Sequence, residues 1–307
     1  MFLVLTIPGR NDNLPLRFIP PESIQMGGLI WLASYPKSGN TWARSFLHAL
    51  IRGPESLDDI NNMKQLTTID GRERWYRPFL NKPIEDCTEE EVAAVRMEAN
   101  EAIARNSEGL TFVKTHNAFV ENRGAPMINL NVTAGVIYLV RNPLDVAVSY
   151  SHHLNVSVDE TIQVMNTPGF GSLNRPGICY DVQGSWKQNV ESWTSNIVPG
   201  ILVLRYEDMV HHPVDTFGRL VSFLGVRISK RDLQGVLDAC SFERLQKKES
   251  EHGFNEKPKG AKQFFRQGKT DQWRDLLTER QIDAIIDANH DQMKRFGYGD
   301  SRRQSAA

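Results

Sequence analysis

Cysteine is scarce in this 307-residue chain: Cys87, Cys179 and Cys240 lie far apart, with no CxxC pair. That excludes a disulfide framework and a thiolate zinc site, and it favours a reducing compartment over secretion. None has an activating base beside it, so all three read as structural. A dominant charge is missing too. Lys+Arg 36 against Asp+Glu 37 gives a formal net charge of −1, so no global field draws the protein to nucleic acid or an anionic membrane. Long hydrophobic runs are absent. The apolar start "MFLVLTI" meets Pro8-Gly9 at once, without a basic leader or small-residue cleavage site, and no stretch approaches the ~18 residues of a membrane span. A soluble, cytoplasmic, untargeted protein is the expectation. There is no internal repeat, no low-complexity tract and no HExxH-type metal spacing. The tandem pairs His152-His153 and His211-His212 are each expected to give one half-exposed and one packed residue, because helical neighbours point apart.

What is present is alternation. Leu29–Ala33, Leu110–Val113, Gly135–Val140 and Ile201–Leu204 are short apolar runs rich in β-branched or aromatic residues. Between them lie helical patterns over Thr41–Ile51, Glu89–Ala104, Pro143–Leu154, Ser185–Asn196, Val214–Leu224, Lys230–Ala239 and Glu279–Phe296. This predicts an α/β fold of three layers, P-loop-like, with a central parallel sheet and helices on both faces. Residues 28–300 are expected to form one domain, with 1–27 an extension contributing to it and 301–307 a flexible tail. Three stretches rich in polar residues, Gly, Pro or Asn resist the scheme: Gly53 to Cys87, Asn166 to Gly184 and Lys247 to Gly268. They are expected on the carboxyl side of the sheet, where such folds bind ligands.

Three junctions carry chemistry. In "YPKSGNTW", Tyr35 to Trp42, Lys37 supplies a point charge, Ser38, Asn40 and Thr41 supply donors, and Gly39 permits close backbone approach. A merely polar strand–helix connection with a capping residue would look much the same. A nucleoside-triphosphatase loop would read GxxxxGK[ST], with an acidic residue ending a neighbouring strand to hold Mg²⁺. Here the lysine precedes the glycine, and "GVIYLVRNP" ends in Arg141. A fixed cation there suits a metal-free, doubly anionic ligand. Ser149, eight residues on and near the same helix face, would join Arg141 in clamping a phosphate. In "FVKTHN", Lys114 and His116 project to one side of a strand end. The histidine can take a proton near neutral pH, and the lysine can neutralise developing charge.

Together YPKSGNTW, KTH and RNPLDVAVSYSH resemble the sulfotransferase family that uses 3′-phosphoadenosine 5′-phosphosulfate (PAPS). "LRYEDM", "SFERL" and "FFRQGKTDQW" are also similar to family segments, so the resemblance runs from Leu29 to Trp273. It implies that Lys37, Ser38, Gly39, Asn40 and Thr41 surround the 5′-phosphosulfate. Trp42 and Phe242 would flank the adenine, with Tyr206 beside it. Arg141 and Ser149 would hold the 3′-phosphate, joined by Arg266, Gln267 and Gly268. His116 would be the general base, and Lys114 and Lys37 would stabilise the sulfuryl group in transit. The implied product is 3′,5′-ADP, no metal is required, and the acceptor would be a small alcohol, phenol or amine. Several residues depart from the family pattern. Asn40 replaces the commoner Thr and is expected still to donate to a phosphate oxygen. Gln267 replaces a Lys, and Cys240 stands where Thr often contacts adenine. No KTVE-type dimer motif is visible. Two rivals stand beside this reading: a Mg²⁺-dependent kinase or triphosphatase of the wider P-loop class, and a non-catalytic nucleotide-binding relative.

Overall fold

The apolar runs become strands, the central ones buried on both faces and the Ile201–Leu204 run half-buried at the sheet edge, and that decides the layering. The computed structural model describes residues 3–5, 16–18, 28–195, 200–258, 260, 261 and 263–299. The expectations for 1–27 and 301–307 lie outside these residues, apart from a short antiparallel pairing of 3–5 with 16–18. Five strands, β1 (Leu29–Ser34), β2 (Thr67–Ile69), β3 (Thr111–Thr115), β4 (Thr133–Val140) and β5 (Ile201–Arg205), form one sheet. Its order is β5-β4-β1-β3-β2, and every neighbouring pair is parallel.

Alternate residues of β1 feed two separate cores. Leu29, Trp31 and Ala33 pack on one side with Ala99 and Ile103 of α2 (Arg96–Arg105), Leu144 of α3 (Pro143–Leu154) and Trp186 of α4 (Trp186–Ser195). Ile285 of the last long helix, Glu279–Arg295, joins that side. Ile30 and Leu32 pack on the other with α1 (Asn40–Arg52), α5 (Pro213–Phe223), α6 (Lys230–Ala239) and α7 (Phe242–His252), through residues such as Phe46, Phe217, Leu233 and Leu245. Burying two faces of every central strand leaves no room for a polar–apolar alternation, so the runs are continuous.

Some expectations are corrected. The helix expected over Glu89–Ala104 is two, Glu89–Ala94 and Arg96–Arg105, because Val95 (φ −110, ψ 8) leaves helical dihedrals. The stretch Gly53 to Cys87 hides the edge strand β2, and the stretch from Lys247 begins inside α7. The stretch Asn166 to Gly184 contains a two-residue pairing of Gly171–Ser172 with Asp181–Val182. Neither histidine pair is packed as expected: His152 is exposed and His153 only half-buried, and His211 and His212 are both exposed. All three cysteines are buried and free. No helix among the described residues is long and apolar enough to cross a membrane.

Candidate active site

The carboxyl ends of all five strands converge on one cavity of about 820 Å³. Parallel sheets place ligands there, because every strand end on that edge delivers a loop and a helix N-terminus. After β1 the chain turns through Lys37, held at φ +67, and Gly39, at φ +98, into α1. The first turn of α1 has no side-chain cap and no acidic residue. Its leading N–H groups therefore stay available to an anion, with the positive end of the helix dipole behind them. Gly39 is also sterically required: a Cβ there would meet the Tyr206 ring at 2.8 Å.

After β4, Arg141 is buried and donates from Nη1 to the Lys37 carbonyl (3.0 Å) and from Nη2 to the Lys269 carbonyl (3.1 Å). Its guanidinium lies 4.1 Å from the Tyr206 ring centre, and its Nε has no partner. Arg141 thus braces the Lys37 turn while keeping a donor in reserve. Two acidic residues inside recognised segments hold this corner. Glu207 accepts from the Asn142 N–H (3.0 Å) and the Tyr298 hydroxyl (2.7 Å). Asp145 accepts from the N–H groups of Asp271 (2.8 Å) and Trp273 (3.2 Å), tying the C-terminal loop to α3.

At the end of β3, Thr115 faces away from the cavity and Lys114 and His116 line it. His116 Nδ1 lies 2.8 Å from the Ser34 carbonyl, an acceptor, so Nδ1 carries the proton and Nε2 keeps its lone pair. Burial and the neighbouring Lys114 push the His116 pKa down to about 3, so the ring is neutral at physiological pH. Burial, with Arg141, Lys114 and Arg266 nearby, lowers Lys37 to about 8. The Lys37 ammonium stands 4.4 Å from the Phe264 ring centre.

Of the residues singled out in the sequence, Lys37, Gly39, Asn40, Thr41, Trp42, Lys114, His116, Arg141, Ser149, Tyr206, Phe242, Arg266, Gln267 and Gly268 all line this cavity. Ser38 does not, although its buried hydroxyl has no partner. Asn40 departs from its expectation. Its amide donates inward to the Leu32 carbonyl (2.8 Å) and the Ser34 hydroxyl (3.2 Å), so the buried side chain stiffens the turn and only the backbone N–H remains for an anion. Gln267 is exposed. Trp42 meets Tyr206 and Phe217 edge-on.

Sequence reading missed three groups. Asp70, buried just past β2, accepts from the Thr115 hydroxyl (2.7 Å) and the Asn117 amide (2.9 Å), gripping the chain on either side of His116. Glu256 reaches in from the C-terminal loop to Lys114 and Arg44. His153 lines the cavity, its pKa lowered to about 4 by burial and by Lys37 and Lys114. None has a local motif; each gains its role from a contact far along the chain.

Fold and cavity together define an α/β protein with a cationic ligand site at the carboxyl edge of its sheet. The family described as "Sulfotransferase domain" matches residues 28–297. The chain is 29% identical over 273 residues to the flavonol 3-sulfotransferase of Flaveria bidentis, covering 83% of this chain and 78% of that one. It is 25% identical over 262 residues to sulfotransferase 1A1 of Bos taurus, covering 81% and 78%. Mouse sulfotransferase SULT7A1 complexed with PAP shares the fold at TM-score 0.60 and 18% identity, over 91% of this chain and 90% of that one. Retinol dehydratase in a complex with retinol and PAP does so at TM-score 0.59 and 21% identity, over 87% and 81%. The chain belongs to the sulfotransferase family. Its enzyme class is that of the PAPS-dependent sulfotransferases, which are transferases.

Proposed function

We propose that this protein moves the sulfuryl group of PAPS to a hydroxyl or amine of a small-molecule acceptor, with His116 as general base. The observation that carries the reading is a neutral His116, its Nε2 unprotonated, sharing one cavity with Lys37, Lys114 and Arg141. The residues fit the donor. The uncapped start of α1 and the spare Arg141 Nε are donors without acceptors, and an anionic ligand supplies acceptors.

Bound PAPS supplies the activated sulfuryl group, whose bond to the bridging phosphate oxygen breaks as the acceptor oxygen or nitrogen bonds to sulfur. Lys37, Ser38, Gly39, Asn40 and Thr41 hold the 5′ end through backbone N–H groups, the lysine and the Thr41 hydroxyl. Arg141, Ser149, Arg266, Gln267 and Gly268 hold the 3′-phosphate, and Trp42, Tyr206 and Phe242 enclose the adenine. His116 Nε2 receives the acceptor proton, and the resulting imidazolium is steadied by its Nδ1–H bond to Ser34. Lys114 and Lys37 face the charge that builds up during transfer, so the protein works by position and electrostatics. The acceptor occupies the end of the cavity lined by Ile69, Phe170, Asp181, Gln183 and Phe264, drawn from all three irregular stretches. The mix of apolar and polar groups suits a small, partly apolar alcohol, phenol or amine, and the named relative acts on flavonols.

The test is calorimetric titration with 3′,5′-ADP, and with ATP in the presence and absence of Mg²⁺. Metal-independent binding of 3′,5′-ADP, weakened more than tenfold (about 1.4 kcal/mol) in Arg141→Ala, is expected. Turnover from PAPS should vanish in His116→Ala. Preferential binding of ATP with Mg²⁺ overturns the reading.

A further inference from the structure

Arg44 is a buried charge that the chemistry above does not use. Arg44 sits on the inner side of α1, one turn after the anion loop, with its side chain 2% exposed. It donates from Nε to the Thr67 hydroxyl (2.9 Å) and pairs through Nη1 with Glu256 Oε1 (2.8 Å) and Oε2 (2.9 Å). The same Glu256 Oε2 accepts from Lys114 Nζ at 3.1 Å. One carboxylate therefore stands between a buried guanidinium and the lysine at the end of β3. It arrives on the loop that also carries Phe264, against Lys37, and Arg266.

We propose that Glu256 is a positioning residue for the transfer step: wedged between Arg44 and Lys114, its carboxylate keeps the Lys114 ammonium charged and fixed at the cavity wall. The inference rests on the reading of Lys114 as the cation facing the sulfuryl group. Its physical basis is a competition. Arg44 cannot shed its proton, so without a carboxylate between them Lys114 is the member of the pair that must become neutral. Burial lowers the Lys114 pKa; Glu256 opposes that and Arg44 adds to it. Burial alone would raise Glu256, yet Lys114 and Arg44 outweigh it and bring it down to about 2, so the carboxylate stays ionised. Asp70, behind the strand, also acts on Lys114, and Lys114 in turn lowers the pKa of His116 on the same strand end and of Lys37 and His153 in the cavity. Asp70 favours the charged lysine as Glu256 does, but its Oδ2 is occupied by Thr115 and Asn117 and its Oδ1 by the Gly71 N–H.

The experiment is pulse acylation of Lys114 with acetic anhydride across pH 6 to 10, read by peptide mass spectrometry on the free enzyme, since only the neutral amine reacts. In Glu256→Gln the Lys114 rate at pH 8 should rise at least fivefold. In Arg44→Met it should fall, and in the double variant it should return towards wild type. The alkaline limb of kcat/KM should move to lower pH in Glu256→Gln alone. A role confined to holding the fold would move both single variants the same way, and that result overturns the proposal. So does a Lys114 rate within twofold of wild type in a Glu256→Gln protein that still binds 3′,5′-ADP. If Glu256→Gln does not fold, Arg44→Met is compared with the double variant, which strands no buried guanidinium and leaves Lys114 free to become neutral. The fivefold rise is again expected, and its absence is fatal. Failure of the functional reading is separable: a His116→Ala protein that keeps turnover removes the proposed base and leaves the acylation result untouched.

Discussion

Replacing Gly268 by alanine puts a methyl group where the Phe242 ring stands. The residue lies at φ +63, and a Cβ built on it would be 2.2 Å from Cδ2, 2.4 Å from Cγ and 2.8 Å from Cε2 of Phe242. Carbon atoms rest at about 3.5–4.0 Å, so the ring must retreat by more than about 1 Å or the C-terminal loop must lift. The left-handed backbone adds roughly 1–2 kcal/mol of strain in the fold. If Phe242 stacks on the adenine, that contact is worth about 1–3 kcal/mol. Affinity for 3′,5′-ADP should then fall by roughly five- to a hundredfold. Gly268 is also next to Lys269, whose carbonyl Arg141 holds, so a loss in Gly268→Ala alone does not identify the ring as its cause. A double-mutant cycle does. In Phe242→Ala no ring remains for the methyl to displace, so the two penalties, measured by calorimetry, should fall short of additivity by at least about 1 kcal/mol. Strict additivity, or a Gly268→Ala protein that binds within twofold of wild type, refutes the reasoning.

Asp70→Asn replaces one acceptor facing the Thr115 hydroxyl and the Asn117 amide by an amide donor. Stability should drop by about 1–3 kcal/mol and kcat by roughly ten- to a hundredfold through misplacement of His116. Calorimetric affinity for 3′,5′-ADP should not change; an unaltered kcat denies Asp70 its positioning role. His48, buried in α1, has its pKa lowered from 6.5 to about 4, first by burial and then by Arg52. The unfolded chain takes up this proton from about pH 6.5 downward and the folded protein does not, so stability is full above pH 6.5 and is lost as pH falls towards 4. Between pH 7 and pH 5 the loss should reach at most about 2 kcal/mol. Urea melts of wild type and His48→Leu at both pH values check it, since all other groups cancel in the difference. Equal losses in the two proteins mean that His48 titrates normally.

The strands that can be read from the sequence are the ones whose burial leaves a mark. β1, β4 and β5 are apolar on both faces, and their boundaries fall within two residues of those expected. β2 leaves no such mark. Thr67–Ile69 is three residues long, lies at the sheet edge and pairs on one side only, so neither a run nor a period can form. Its importance lies in where it sends the chain. The residues leaving β2 deliver Asp70 to the back of β3, a contact across 45 residues. The Glu89–Ala104 helix failed for a related reason, because a single non-helical residue, Val95, is invisible to a pattern averaged over four turns.

The site divides along the same line. Lys37, Gly39, Arg141 and His116 could be named because a strand end and the turn after it form a local unit whose chemistry is written in consecutive letters. Glu256 sits in a stretch that reads as solvated loop, and its partners are 142 and 212 residues away. Asn40 marks the boundary more sharply, since its letter was read and its role was not. Composition correctly gives it two amide hydrogens, but one turn of helix places them against the Leu32 carbonyl, which as part of a buried strand end must find a donor. Once that obligation is met, nothing of the side chain is left to give to a phosphate. A threonine in the same place could reach only one such partner with its single hydroxyl hydrogen, so the exchange at this position trades a ligand contact for a stiffer turn. The strained Lys37 backbone beside it, at φ +67, is the feature that stiffness would support.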